Sequence, residues 1–484
     1  MTTENIRTYD VVVIGAGPVG ENVADRTTVA GLSTVIVESE LVGGECSYWA
    51  CEPSKALLRP AVLRADASHV PGLDPAVAGP LDSAAVLAHR DRMSGDWNDE
   101  GQVEWLKSAD IELLRGHGRL DGPRSVVVRT ADGDTVRLRA RHAVAVCTGS
   151  RAALPDLPGL DALRPWTSRE ATSAPEVPGR LIVVGAGVVG TEMATAWQAL
   201  GSRVTFLVRE HGLLPQVEPF AGELVTERLR EAGVDVRFNT TLSAAKRVGG
   251  PDDELLVTLS SGEEISADEI LFATGRAPRS EDIGLETVGL APGDWLTTDD
   301  TLTVSAVPGE WLYAVGDVNR RALLTHQGKY QARVAGAVIA ARAGGAALDT
   351  APWSPHAATA DIGAVPQVVF TDPEIAAVGL TTLEAERTGR TVDVVDYEIG
   401  HLAGALQYRP DYRGRARILI DPDRRTVVGA TFAGPGVAEL LYSATVAITA
   451  DVPLERLWHA VPAFPTISEV WLRLLEAYRD RADQ

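Results

Sequence analysis

Two glycine-rich segments of the same form, one starting at Gly15 and the other at Gly185, limit the folds that this chain can adopt. The first, GAGPVG, follows the apolar run YDVVVI and also contains Gly17 and Gly20. Glycines at this spacing permit a tight turn and let a pyrophosphate approach the N-terminus of the following helix. The next strand pattern ends at Glu38, where a carboxylate can accept a hydrogen bond from a ribose 2′-hydroxyl. The segment therefore predicts a dinucleotide-binding unit rather than a plain glycine turn.

The second segment, GAGVVG, repeats the pattern after the run LIVV, with its other glycines at Gly187 and Gly190. Here the strand RVTFLV ends without an acid, and Arg209 follows it directly. A cation in this place tolerates a 2′-phosphate, which favours NADPH, with NADH as the alternative. The competing interpretation is an ordinary surface arginine that pairs with its neighbour Glu210.

Two dinucleotide units imply two dinucleotides, and one of them can be a flavin, FAD, with the other as its reductant. Three further strand ends fit such a protein, two that lead into a glycine and one that leads into an acid. They end at Gly149, at Gly275 followed by Arg276, and at Asp317, an acid that can hydrogen-bond a cofactor hydroxyl.

The bulk properties narrow the class of protein. A chain of 484 residues is too long for one hydrophobic core, so we expect several domains. A formal net charge of −21, spread along the chain, indicates a solvated surface and argues against nucleic acid as a partner. The start MTTENIRTYD lacks the features of a signal peptide, and no apolar run reaches the ~18 residues of a membrane span. We therefore expect a cytoplasmic protein with no membrane partner.

Two of the three cysteines, Cys46 and Cys51, lie together in VGGECSYWACEPSK. In a reducing compartment such a close pair is typical of catalysis or of metal binding. Because no second cysteine pair and no nearby histidine supplies further ligands, we expect no metal site. A redox pair is favoured over chance clustering. Pro53 and Ser54 can open a helix just after Cys51, and a helix N-terminus lowers a thiol pKa, an effect that the nearby Lys55 would strengthen.

In their order along the chain, these motifs resemble those of the FAD-dependent pyridine nucleotide–disulfide oxidoreductases, such as dihydrolipoamide dehydrogenase, glutathione reductase and mercuric reductase. The resemblance runs from Tyr9 to about Glu469, and the segment VPQVVFTDPEIAAVGLT resembles the start of the family's dimerisation domain. It implies an α/β fold with two Rossmann-like dinucleotide-binding domains, for FAD and NAD(P)H, plus a C-terminal α+β dimerisation domain. The implied boundaries are 1–150 and 275–350 for the FAD domain, 151–274 for the NAD(P)H domain, and 351–484 for the dimerisation domain.

The resemblance also implies roles for single residues in a homodimer that acts on a small molecule. Cys51 would be the thiol against the flavin, and Cys46 the interchange thiol that meets the substrate. Lys55 would lie near the flavin N5, paired with Glu192, while Asp317 would bind the ribityl or phosphate end of FAD.

The chain departs from the family at its C-terminal end. Disulfide-reducing relatives carry a histidine five residues before a glutamate, and here Phe464 stands at the histidine position while Glu469 is kept. Phenylalanine cannot move a proton, and acid–base help is worth about 10²–10⁴-fold in rate. We therefore expect an acceptor other than an ordinary dithiol disulfide. His459 is a weak candidate for the missing base.

Several alternatives remain open. The relative 2-ketopropyl-coenzyme M oxidoreductase/carboxylase also carries phenylalanine at this position and cleaves a thioether reductively, but it replaces the glutamate as well. Direct reduction of a quinone by the flavin is a second enzymatic alternative. A flavin-bound redox sensor with little turnover is the non-enzymatic one. In the cysteine segment, Tyr48 and Trp49 replace smaller residues, and Glu52 places a carboxylate beside Cys51.

Overall fold

The computed structural model describes residues 6–249 and 253–482. Its strands, in chain order, are β1 Ile6–Ile14, β2 Thr34–Glu38, β3 Glu112–Arg115, β4 His117–Leu120, β5 Ser125–Arg129, β6 Thr135–Val146, β7 Ser150–Ala152, β8 Arg180–Val184, β9 Arg203–Leu207, β10 Asp235–Arg237, β11 Leu242–Arg247, β12 Leu255–Leu259, β13 Glu264–Ala267, β14 Glu269–Phe272, β15 Arg276–Pro278, β16 Leu312–Ala314, β17 Gln367–Val369, β18 Ile375–Gly379, β19 Asp393–Glu398, β20 Arg415–Asp421 and β21 Thr426–Ala433.

The α-helices are α1 Pro18–Val29, α2 Gly44–Tyr48, α3 Cys51–Ser68, α4 Ser83–Met93, α5 Glu100–Ser108, α6 Leu160–Leu163, α7 Ser168–Ser173, α8 Val188–Ala199, α9 Pro219–Glu231, α10 Thr325–Ala343, α11 Ala360–Gly363, α12 Thr382–Thr388, α13 Ala403–Tyr408, α14 Leu441–Thr449, α15 Leu454–Leu457 and α16 Val470–Ala482. Short 3₁₀ turns link several of them, and two of these turns, Asp317–Asn319 and Ile467–Glu469, contain predicted site residues.

The chain divides into two compact units. The first contains the chain up to Pro53, Asp91–Ala153 and Arg276–Ile362. The second contains Ser54–Arg90, Leu154–Gly275 and the chain from Gly363 onward. The three-domain division at residues 150, 275 and 350 stays a prediction.

The first unit is built on one large sheet in the order β3-β2-β1-β6-β5-β4, and β16 pairs with the end of β6. β1 runs parallel to both β2 and β6, with Val13 opposite Ile36 and Ala145. The three residues are fully buried, as expected for the central strands of a parallel sheet covered on both faces. The first glycine loop therefore leaves the carboxyl end of β1. At this point the strand order changes direction, because β2 lies on one side of β1 and β6 on the other. Open α/β sheets bind ligands at such a point.

The second unit contains a parallel sheet in the order β10-β9-β8-β14 and an antiparallel sheet β11-β12-β13. The second glycine loop leaves the carboxyl end of β8, so the two loops occupy equivalent places in two similar sheets.

A third sheet in this unit, in the order β17-β18-β21-β20-β19, is antiparallel throughout. Helix α14 packs on β18 and β21, and α16 packs on β19. Every residue of β21 is buried, so this strand forms the centre of the C-terminal α+β part. The predicted fold class, two Rossmann-like sheets followed by an α+β part, is confirmed.

Candidate active site

The first glycine loop is held together by backbone contacts that leave no room for side chains. Gly15 has a φ of +99°, and a Cβ atom there would lie 2.6 Å from the carbonyl oxygen of Cys147 at the end of β6. A Cβ atom at Gly20 would lie 1.9 Å from the Gly15 carbonyl oxygen. At Gly17, which caps α1, a Cβ atom would meet only the Gly44 Cα at 4.0 Å. The loop is therefore packed on one side and open above the start of α1, which fits a pyrophosphate bound by backbone N–H groups.

The second loop repeats this arrangement in its own unit. A Cβ atom at Gly185, whose φ is +120°, would lie 2.3 Å from the Ala273 carbonyl oxygen. Gly190 packs against Gly185 in the same way, again at 2.3 Å. Around Gly187, at the start of α8, no atom of the described residues lies within 4 Å of a Cβ position. The residues present therefore fit a second dinucleotide.

Carboxylates at the ends of β2 and β16 have different surroundings. The Glu38 Oε2 atom accepts a hydrogen bond of 2.7 Å from the Ala16 backbone N–H, so this side chain lies directly against the first glycine loop. Asp317 is partly buried, and burial raises the pKa of its carboxyl group. The Ser150 hydroxyl donates to Asp317 Oδ2 at 2.5 Å and accepts from Arg276 Nε at 2.6 Å. Asp317 thus belongs to a fixed polar network on the first unit.

Gly149 and Gly275, which follow β6 and β14, face open space. Gly149 has a φ of +72° and Gly275 one of +143°, and neither has a neighbour within 4 Å of its Cβ position among the described atoms. Each is a place where a ligand can approach the backbone closely.

Arg209, which was expected to contact the 2′ position of the nucleotide, follows β9 and is exposed. Val208 is fully buried, whereas the Arg209 side chain is 79% exposed. The Arg209 guanidinium donates to Glu210 at 2.8 Å. The predicted competition for Arg209 is therefore present in the structure.

The two cysteines are joined by a disulfide bond. Cys46 lies on α2, and Cys51 is the first residue of α3. The expected helix thus begins two residues earlier than Pro53, which occupies its first turn, where a backbone N–H has no helical partner to lose. The Thr325 hydroxyl, at the start of α10, lies 3.4 Å from Cys51 Sγ.

The aromatic residues between the cysteines support the segment. The Tyr48 hydroxyl donates to the Val42 carbonyl at 2.9 Å, and the Trp97 indole N–H donates to the Tyr48 carbonyl at 3.1 Å. Trp49 packs edge to face on Tyr48. The Glu52 side chain is exposed, so water screens its charge.

Lys55 and Glu192 form an ion pair in the second unit. Lys55 Nζ donates to Glu192 Oε2 at 2.8 Å, and the Phe370 backbone N–H donates to the other oxygen at 3.0 Å. The Glu192 side chain is only 4% exposed, so both of its oxygens are satisfied away from water.

The C-terminal segment forms one wall of a cleft of about 510 Å³. Phe464 is 75% exposed on this wall. Glu469 is buried, and its Oε2 atom has no hydrogen-bond partner in the described part of the chain. Arg473 lies 3.9 Å from the other oxygen, and His401 lines the same cleft. His459 is not among the described residues that line it.

Among the described residues, no group of three or more histidine, cysteine, aspartate or glutamate side chains is placed to hold a metal ion. No described helix is both long and apolar enough to cross a membrane.

The family follows from a comparison with known protein families. The model of the pyridine nucleotide-disulphide oxidoreductases matches residues 9–344, and that of their dimerisation domain matches residues 365–475. The chain belongs to this family. As a member of the pyridine nucleotide-disulphide oxidoreductases, it is an FAD-dependent enzyme with a redox disulfide, a pyridine nucleotide as second cofactor and a dimerisation domain.

Curated relatives and solved structures cover nearly the whole chain. Dihydrolipoyl dehydrogenase 3 of Pseudomonas aeruginosa is 34% identical over 96% of both chains. Dihydrolipoyl dehydrogenase of Halobacterium salinarum is 31% identical over 96% of this chain and 95% of its own. The fold resembles that of the HOCl-induced flavoprotein disulfide reductase RclA from Escherichia coli, solved as a Cu(II) complex, with a TM-score of 0.82 and 21% identity over 97% of this chain and 99% of the other.

Sequence reasoning missed one buried acid in this family member. Glu21 follows the third glycine of the first loop and is 8% exposed, with no hydrogen-bond partner for Oε1 among the described residues. Burial raises the pKa of Glu21 from 4.5 to about 7, with Lys329 opposing and Glu38 adding to the shift. The signal in the sequence was a charged residue in the first turn of a helix that packs against a sheet.

We predict that Glu21→Gln stabilises the protein at alkaline pH. Because the folded-state pKa is raised, the folded protein loses stability as the pH rises from about 4.5 to about 7. The variant should therefore be more stable than the parent by about 2–3 kcal/mol at pH 8 and nearly equal to it at pH 4.5. Urea unfolding at both pH values measures the difference.

Asp25→Asn on the same helix is the control, since this carboxylate is partly exposed and lies beside Arg26. An equal stability difference between Glu21→Gln and the parent at both pH values would contradict the raised pKa of Glu21.

Proposed function

We propose that the chain is a homodimeric NADPH oxidoreductase that reduces its Cys46–Cys51 disulfide and passes the electron pair to a small acceptor. The first glycine loop would hold FAD, which would supply the chemistry that passes a hydride equivalent from the nicotinamide to the disulfide. One further proton from solvent completes the balance, so that one disulfide becomes two thiols. The observation that carries the proposal is the disulfide at the start of α3, in the unit whose first glycine loop fits a dinucleotide.

The proposed function gives each redox cysteine its own role. Cys51 would be stabilised as a thiolate by the N–H groups that begin α3 and by the Thr325 hydroxyl 3.4 Å away. Cys46 would meet the acceptor. The 2.8 Å pair of Lys55 and Glu192 supports the family's assignment of these residues to the flavin side of the site.

Cofactor binding would use the two loops and the strand ends. We assign FAD to the first glycine loop, Glu38, Gly149 and Asp317, and NADPH to the second loop, Gly275 and Arg209. Arg276 would position Asp317 through Ser150, to which it donates two hydrogen bonds. The preference for NADPH is supported by the absence of an acid at the end of β9 and by the exposure of Arg209.

We predict that Arg209→Ala lowers the preference for NADPH over NADH. A charged contact with the 2′-phosphate is worth about 1–2 kcal/mol, so KM for NADPH should rise about 5- to 30-fold while KM for NADH stays within about twofold. Steady-state kinetics with both nucleotides measures the two constants.

Arg203→Ala, at the opposite end of β9, is the matched control and should change neither constant. If Arg209→Ala alters both KM values equally, the guanidinium does not read the 2′-phosphate.

The acceptor would differ from the lipoyl group that appears in the relatives' names. Phe464 cannot move a proton, and the buried Glu469 Oε2 lacks the hydrogen bond that a histidine ring at this position would supply. Phe464 and Glu469 therefore favour an acceptor whose leaving group does not need a proton from the protein.

We predict that Phe464→His raises lipoamide reduction by about tenfold or more. Glu469 lines the same cleft as position 464 and would orient a histidine ring there, and general acid–base help of this kind contributes about 10²–10⁴-fold when complete. NADPH oxidation with lipoamide as acceptor, followed over pH, measures the gain.

Phe464→His combined with Glu469→Gln is the control, because the ring then loses its charged partner and most of the gain should disappear. No gain in the single variant would count against the role assigned to position 464.

Reductive thioether cleavage is the second candidate, and the exposed Phe464 is the observation that favours it. An apolar side chain at the acceptor keeps protons away from a carbanion. The retained Glu469 argues against it. Activity that survives in Cys46→Ser would instead indicate direct reduction of a quinone by the flavin.

A further inference from the structure

An ion pair involves the residue that precedes one of the two redox cysteines in the sequence. Glu45 precedes Cys46 on α2, and Glu45 Oε1 accepts a hydrogen bond of 2.6 Å from Arg279 Nη2. The two side chains are 22% and 34% exposed, so the pair is partly withdrawn from water. Both residues belong to the first unit, although 234 positions separate them in the chain.

Arg279 is itself fixed by the backbone around it. Its N–H donates to the Gly149 carbonyl at 3.0 Å, and its Nε atom donates to the Ser150 carbonyl at 3.4 Å. It follows β15 directly, and β15 pairs with β7 in an antiparallel ladder. The guanidinium therefore projects from a rigid part of the unit towards α2, a helix of only five residues that has few internal hydrogen bonds of its own.

The charge of Glu45 has a chemical consequence for Cys46. The thiolate is the reactive form of a cysteine, and a neighbouring carboxylate opposes its formation. A guanidinium bound to that carboxylate offsets most of the effect. Without Arg279, the sequence would place an uncompensated anion next to the thiol that has to react.

We propose that Arg279 is a positioning residue for Cys46, which fixes α2 through Glu45 and offsets the charge of the Glu45 carboxylate beside the thiol. This inference rests on the proposed function, in which Cys46 is the thiol that meets the acceptor. It assigns Arg279 a part in the redox chemistry that its place three residues after Arg276 does not indicate.

Other ionisable groups of the same unit act on α2 or on Arg279. Arg279 Nη1 lies 4.0 Å from Glu40 Oε2, Tyr48 on α2 experiences the charges of Asp99, Glu21 and Arg115, and the Asp317 carboxyl group experiences the charge of Glu45. None of these groups is substituted in the test. Because Arg279→Met also removes the cation near Glu40, the shift in Glu45→Gln is the one that reports the Glu45 charge by itself.

The test measures the ionisation of Cys46 directly in flavin-loaded Cys51→Ser protein, in which Cys46 has no disulfide partner. The rate of alkylation by iodoacetamide is followed from pH 5 to pH 10 in this background and after adding Arg279→Met, Glu45→Gln, or both. We expect Arg279→Met to raise the midpoint by about 0.5–1 pH unit and Glu45→Gln to lower it by a similar amount. The double variant should lie close to the background.

Opposite signs for the two single variants support the proposal, because a purely structural contact would move both in the same direction. Shifts of the same sign, or no shift in either variant, would overturn it. If Arg279→Met does not retain FAD, the proposal is judged on Glu45→Gln alone. A lowered midpoint then supports it, and a raised or unchanged midpoint overturns it.

The alkylation readout needs neither NADPH nor an acceptor. Its failure is therefore distinguishable from a failure of the proposed function, which would appear as nucleotide oxidation without any gain of thiols.

Discussion

The close contact between each glycine loop and the strand beside it is the constraint on which both nucleotide sites depend. At Gly15 and at Gly185, a carbonyl oxygen of the neighbouring segment occupies the space that a side chain would need. Because each loop is pressed against its sheet in this way, the start of the following helix is left open and its N–H groups point at one place. The same solution appears once in each unit, in two sheets whose strands have the same relative order around the loop, β3-β2-β1-β6 and β10-β9-β8-β14. The cysteine segment in turn depends on the first loop, since a Cβ atom at Gly44 would lie 2.9 Å from the Gly17 Cα.

The sequence was sufficient to predict the parts of the structure that short segments determine. The apolar runs before Gly15 and Gly185 became the central strands, because continuous β-branched residues suit a strand buried on both faces. The redox pair Cys46 and Cys51 was also predictable, because two cysteines five positions apart in a cysteine-poor chain favour a redox pair over chance clustering. Contacts between distant positions could not be predicted. Nothing in either segment indicates that Glu45 meets Arg279, or that the acid after Gly20 is buried without a hydrogen bond to Oε1.

Carboxylates at the site show why their surroundings, rather than their positions in motifs, determine what they can do. Glu192 is buried with both oxygens bonded, and Glu45 is partly exposed and bound to a guanidinium. Glu469 is buried, and its Oε2 atom has no hydrogen-bond partner among the described residues. A buried carboxylate oxygen without a hydrogen-bond partner is costly, and Phe464, which lines the same cleft, cannot supply one. In the function that we propose, this combination favours an acceptor other than a dithiol disulfide.

The most direct measurement is an anaerobic titration of the flavin-loaded protein with NADPH, with the free thiols counted at each step. If the Cys46–Cys51 disulfide is the electron acceptor within the protein, two thiols should appear per chain in the wild type. None should be gained when Cys46→Ser removes the disulfide. Oxidation of NADPH and bleaching of the flavin without any new thiols in the wild type would contradict this, because the electrons would then bypass the cysteines.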